Sequence, residues 1–164
     1  MAVLKIMQHN IQSVNNKKAL VKSSLIQNNI DVCLLNETWL KDSNPYLSIS
    51  GYNYIGKNAK NEHGGVGILI KNDIKFKVLK TTFYQNIQFI AISIITGCGP
   101  VSVLCVYCPP NNSSISLINL RKIILQLPKP CLPCLVSGDF NAHNIAFGCD
   151  TTNSRGRELF DIFD

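Results

Sequence analysis

Apolar residues along this chain fall into short runs that stop abruptly on polar ones. Val3-Leu4-Lys5-Ile6-Met7 gives way to Gln8-His9-Asn10, which predicts a strand over residues 3–7 with polar side chains at its C-terminal end. Leu20, Val21, Leu25 and Ile26 recur at helical spacing and predict a helix over residues 17–28. Val32-Cys33-Leu34-Leu35 reads as a buried strand, again ending in polar groups, Asn36-Glu37-Thr38. Strand, helix and strand with apolar runs indicate layered α/β packing.

The middle of the chain is strand-rich. Strands are expected over residues 65–70, 74–79, 89–95 and 101–107, with tight turns at Lys71-Asn72-Asp73 and Gly97-Cys98-Gly99-Pro100. Leu117, Ile118, Leu120, Ile123, Ile124 and Leu127 predict an amphipathic helix over residues 116–127, stopped by Pro128 and Pro130. Leu135-Val136 then leads into Gly138-Asp139, and Ser154 is expected to cap a last helix over residues 155–163, with Glu158 in its first turn. There is no internal repeat or linker, so residues 1–164 read as one domain.

Composition narrows the picture only a little. At 46% hydrophobic residues the chain can build a sizeable core, and disorder is excluded over most of its length. The net charge of +6 permits a polyanionic partner such as nucleic acid, but the lysines are scattered and form no dense basic run. Seven cysteines without a secretory-type leader imply a reducing compartment, nuclear or cytoplasmic. No stretch approaches the about 20 apolar residues that span a bilayer, so no membrane partner is expected.

The polar strand ends carry the candidate chemistry. Asn10, Glu37, Tyr107 and Asp139 with Asn141 each follow an apolar run. If the strands lie side by side, these residues converge at one edge, which is how α/β enzymes assemble sites from distant positions. Asp139 and Asn141 share a face in an extended segment and pair a carboxylate with an amide, as phosphodiester hydrolysis requires. The same Asp-x-Asn also describes a turn after a buried strand. Glu37, one of three glutamates, offers a hard oxygen ligand of the kind Mg²⁺ takes, or alternatively caps the next element.

Six segments in order resemble the endonuclease/exonuclease/phosphatase superfamily, and within it the apurinic-type endonuclease domain of non-LTR retrotransposons. They are Gln8-His9-Asn10-Ile11-Gln12-Ser13, Leu35-Asn36-Glu37-Thr38-Trp39-Leu40, His63-Gly64-Gly65-Val66-Gly67-Ile68, Val106-Tyr107-Cys108-Pro109-Pro110, Ser137-Gly138-Asp139-Phe140-Asn141-Ala142-His143, and Phe147-Gly148-Cys149 with Thr152-Asn153-Ser154-Arg155-Gly156. The resemblance implies a DNase I-like α/β fold, a two-sheet sandwich with outer helices. It further implies a metal-dependent endonuclease that nicks target DNA and leaves a 3′-hydroxyl for a linked reverse transcriptase. Glu37 would bind the metal, Mg²⁺ with Mn²⁺ as a substitute, and Asn10 would support it. Tyr107 would contact the scissile phosphate, Asp139 would activate water, and Asn141 would hold a phosphate oxygen. Arg155 and Arg157 are candidate contacts to DNA phosphates.

Two departures qualify the resemblance. Repair enzymes of the superfamily carry an aspartate two residues after the first asparagine, where this chain has Gln12, which favours the retrotransposon branch. The family also ends on an Asp and a Ser-Asp-His motif that are not found before Asp164. The second sheet is therefore expected to be incomplete, with its C-terminal strands lacking and a poorly soluble apolar edge. The alternatives are a catalytically dead truncated copy and, from Cys105-Val-Tyr-Cys108 and Cys131-Leu-Pro-Cys134, a zinc-binding interaction module. Against zinc, three steps along a strand put Cys105 and Cys108 on opposite faces. Gly64-Gly65-Val66-Gly67 reads as close strand packing and not a phosphate loop, and His143 is assigned no chemistry.

Overall fold

A computed structural model describes residues 3–58, 63–84, 87–110, 117–127 and 133–163. Two four-stranded sheets stack face to face. The first contains β1 (Ile6–Asn10), β2 (Val32–Asn36), β3 (Tyr52–Lys57) and β4 (Val66–Lys71), in the order β1-β2-β4-β3. The second contains β5 (Phe76–Tyr84), β6 (Ile87–Thr96), β7 (Gly99–Tyr107) and β8 (Cys134–Asp139), in sequential order. Helix α1 (Lys18–Gln27) covers the outside of the first sheet; α2 (Ile118–Leu125) and α3 (Ser154–Phe163) cover the outside of the second.

Side-chain alternation divides the apolar residues among three layers. Val32 and Leu34 of β2 and Val66, Ile68 and Ile70 of β4 face inward. They meet Ile90, Ile92 and Ile94 of β6 and Val103 and Cys105 of β7. Cys33, Leu35 and Leu69 face the other way, onto Val21 and Leu25 of α1. Phe89, Ala91, Leu104 and Val106 face outward onto α2 and onto Leu159 of α3. Strands buried on both faces read as continuous apolar runs, which explains why β2, β4 and β6 are plain in the sequence.

Each sheet has one parallel pair at its end, β1 with β2 and β7 with β8, while the other pairings are antiparallel. Parallel neighbours finish at the same edge. Asn10 pairs with Asn36 and Tyr107 with Asp139, so four strand ends are level in two sheets.

Several elements differ from expectation. β1 runs to Asn10 and includes the polar residues, because this edge strand is only partly covered. β3 was not expected at all. Its residues alternate in exposure at a sheet edge and lack an apolar run. The Tyr54 ring lies across the paired glycines Gly56 and Gly67, the close packing expected of the glycine run. β5 starts later and extends to Tyr84, with an irregularity between Val78 and Lys80. On α1 only Val21 and Leu25 are buried, while Leu20 and Ile26 are exposed. The cap of α3 is Asn153, whose Oδ1 accepts from the Gly156 amide at 2.7 Å; Ser154 is the first helical residue. Glu158 accepts from the Leu117 amide and so holds the start of α2. Ser116, Pro128, Pro130 and Cys131 lie outside the described residues. No helix among the described residues is long and apolar enough to cross a membrane.

Candidate active site

The site is the polar end of the inter-sheet layer. Ile6, Gln8 and Asn10 share one face of β1, and Val32, Leu34 and Asn36 share one face of β2. Val103, Cys105 and Tyr107 do the same on β7, as do Leu135, Ser137 and Asp139 on β8. The last inward position of each strand is therefore polar.

Asn10 joins the two sheets. Its Nδ2 donates to Glu37 Oε1 at 3.0 Å and to Asp139 Oδ2 at 2.7 Å. The Tyr107 hydroxyl donates to Glu37 Oε1 at 3.4 Å. Burial, then the charges of Glu37 and Asp139, push the Tyr107 phenol above its ordinary range, so it stays a hydrogen-bond donor. Four of the residues singled out from sequence thus form one hydrogen-bonded group.

Asn141 stands beside them in a different posture from the extended one expected. Its backbone is left-handed (φ +47°), and its amide donates to Asp139 Oδ1 at 3.1 Å, an Asx turn. One Nδ2 hydrogen goes to the Cys108 carbonyl at 2.9 Å, leaving the second available. Gln12, Ser13, Glu37 and Trp39 are also left-handed. Such residues cost of order 1–3 kcal/mol each and gather where function needs an unusual chain path. Lys17 steadies the first of these turns by donating to the carbonyls of Ile11 and Gln12, at 2.6 and 2.9 Å.

Gly138 makes the close approach of β8 to β7. A Cβ there would lie 1.9 Å from the Val106 carbonyl oxygen, so no larger residue fits without moving a strand. Beyond it, a cleft of about 380 Å³ runs from Gln8 and Asn10 to Asp139, Asn141 and His143.

The donor set suits a hard cation. Asn10 Oδ1 is buried with no partner among the described residues, next to the Glu37 carboxylate that its own amide nitrogen touches. An amide oxygen and a carboxylate are the ligands Mg²⁺ takes while keeping several waters. The described residues contain no group of three or more His, Cys, Asp and Glu able to hold a metal ion. Cys105 is buried between the sheets with its thiol toward the Leu35 and Gly67 carbonyls, and burial raises the pKa of Cys105 and Cys108. Neither is presented as a zinc ligand.

Arg155 is buried, and its guanidinium donates to the Pro109 carbonyl at 2.7 Å, bracing the turn after Tyr107. Arg157 is exposed. Sequence reasoning missed Asn36. Wholly buried, it accepts from Gln8 Nε2 at 2.8 Å and donates to the Val106 carbonyl at 2.7 Å, tying β1 and β2 to β7 beneath the site. A polar residue in register with inward-facing Val32 and Leu34 was the available signal.

Residues 7–160 match the model of the Endonuclease/Exonuclease/phosphatase family. The chain is 29% identical, over 99% of its length, to a probable RNA-directed DNA polymerase from transposon X-element of Drosophila melanogaster, and spans only 18% of that relative. Its fold is similar to the endonuclease domain of TRAS1, a telomere-specific non-LTR retrotransposon, with a TM-score of 0.74 at 15% identity, covering 98% of this chain and 69% of the other. It is also similar to an AP endonuclease from Archaeoglobus fulgidus, with a TM-score of 0.60 at 15% identity and the same two coverages.

Proposed function

Since this chain belongs to the endonuclease/exonuclease/phosphatase family and is related to a retrotransposon endonuclease, we propose that it is the nuclease domain that nicks target DNA for a linked reverse transcriptase. The observation that carries this reading is the bridge from Asn10 to both Glu37 and Asp139. It couples a cation-binding carboxylate to a second carboxylate positioned to act on water.

Glu37 and Asn10 Oδ1 would hold a divalent cation, Mg²⁺ or Mn²⁺. When bound, the cation supplies Lewis-acid polarisation of the phosphate and neutralises developing charge. Asp139 keeps free lone pairs on both oxygens, so it can accept a proton from, and orient, the water that attacks phosphorus. Tyr107 remains protonated and donates toward charge developing on a phosphate oxygen. Asn141 offers its second amide hydrogen to another phosphate oxygen. The P–O3′ bond breaks and leaves the 3′-hydroxyl that a polymerase extends. Nuclear or cytoplasmic residence accompanies this role.

Plasmid nicking tests the reading, on this chain and on a longer protein containing it. Mg²⁺-dependent conversion of supercoiled to open-circular DNA is expected, and Asp139→Ala should lower it by roughly 10²–10⁴-fold. A wild-type rate in that variant overturns the assignment. Binding without nicking at any enzyme level, in both forms, favours a catalytically dead copy.

A further inference from the structure

One carboxylate, Asp139, lines the cleft, a second, Glu37, lies behind Asn10, and a phosphodiester must enter beside them. Of the described side chains lining the cleft, His143 is the one basic group. It is exposed, so its imidazole is not committed to the core. Its backbone, by contrast, is held firmly. The His143 amide donates to Asn153 Oδ1 at 3.1 Å, and the Asn153 amide donates to the His143 carbonyl at 2.9 Å. Gly156 packs so closely that a Cβ there would lie 1.7 Å from the His143 carbonyl oxygen. Asn153 also donates to the Asn141 carbonyl at 3.4 Å while capping α3. One asparagine at the start of α3 therefore positions both Asn141 and His143, and leaves the imidazole as the free group at the cleft.

We propose that His143 is a phosphate-binding residue, donating an imidazole N–H to a non-bridging oxygen of the DNA phosphodiester seated between Asn10 and Asn141. The proposal rests on the nuclease reading of this site. Either tautomer carries one N–H, so the contact needs no change of protonation. Asn153 is its positioning residue, acting through the backbone.

The test is binding of a fluorescein-labelled DNA duplex, followed by anisotropy with Ca²⁺ replacing Mg²⁺ so that turnover does not enter. His143→Ala should weaken binding about tenfold, the loss of a hydrogen bond to a charged group. His143→Gln, which keeps an N–H donor, should stay within about twofold of wild type. Wild-type affinity in His143→Ala overturns the proposal and leaves the nuclease reading standing. Equal weakening in both variants also overturns it, since the donor would then be irrelevant. Failure of the wild-type chain to bind duplex DNA removes the nuclease reading and this contact with it.

Discussion

Replacing Asn36 by Leu separates the sheet-to-sheet tie from packing volume. Leucine has the same branched shape and is somewhat larger, so no cavity is left. Two hydrogen bonds disappear, to Gln8 Nε2 and to the Val106 carbonyl. Losing the bond to Gln8 costs about 1 kcal/mol, and leaving the buried Val106 carbonyl unpaired costs about 2 kcal/mol. Greater apolar burial returns about 1 kcal/mol. The net loss is then about 2 kcal/mol, a large share of the roughly 5–15 kcal/mol that holds a domain together. For a chain of this length it corresponds to a fall in Tm of about 4–8 °C. Thermal unfolding followed by circular dichroism reads this directly. Nicking should fall further than stability explains, because Asn36 precedes Glu37 and sets its distance from β7. An unchanged Tm together with unchanged nicking refutes the reasoning.

Other predictions follow from the same contacts. Gly138→Ala should prevent soluble folding or lower Tm by more than 10 °C (roughly 3 kcal/mol or more), since its Cβ meets strand backbone; a wild-type melting curve would contradict the close approach. Tyr107→Phe should slow nicking about tenfold or more, and the wild-type pH–rate profile should show no alkaline limb from this phenol up to about pH 10; an alkaline limb that the substitution removes would contradict it. Burial pushes the thiols of Cys33 and Cys108 up to about 12 and that of Cys105 higher still, from an ordinary 9.0. Their contribution to stability is therefore complete below pH 9.0 and declines above it, as the unfolded chain loses protons that the folded chain keeps, by about 4 kcal/mol per pH unit for three thiols; a urea midpoint flat from about pH 8 to 10.5 would exclude this. Ile145, Phe147, Phe160 and Phe163 are exposed, with the Phe147 and Phe160 rings side by side, so sedimentation should reveal concentration-dependent association, and a monodisperse monomer at all concentrations would count against it.

The legible parts of this protein are those where burial is two-sided or a strand ends. Leu34, Ile68 and Ile92 announce strands because both faces of their sheets are covered. Asn10, Glu37, Tyr107 and Asp139 could be grouped from sequence because each closes an apolar run, and the strands bring those ends together. Tyr52 to Lys57 escaped because an edge strand mixes exposed and half-buried positions. The burial of Arg155 was not legible because an arginine at a helix start ordinarily faces water, whereas here it bonds to a carbonyl in the Pro109 turn. Asn141 misled because spacing of two implies a shared face only in extended backbone, and its φ is left-handed. Asn36 was hidden for the opposite reason, as polar residues are rarely fully buried.

The contact between Asn10 and Asp139 closes a span of 129 residues. During synthesis the first sheet can pair as soon as β4 has emerged, and domains begin to organise from the N-terminus. Its half of the site, Asn10 with Glu37, is then in place without its counterpart. The second carboxylate, Asp139, arrives only with β8, whose parallel pairing to β7 is non-local and slower to form than the hairpins before it. A nascent or partly folded chain therefore lacks the joined Asn10, Glu37 and Asp139 group, and under the proposed function the onset of cleavage would follow the docking of β8.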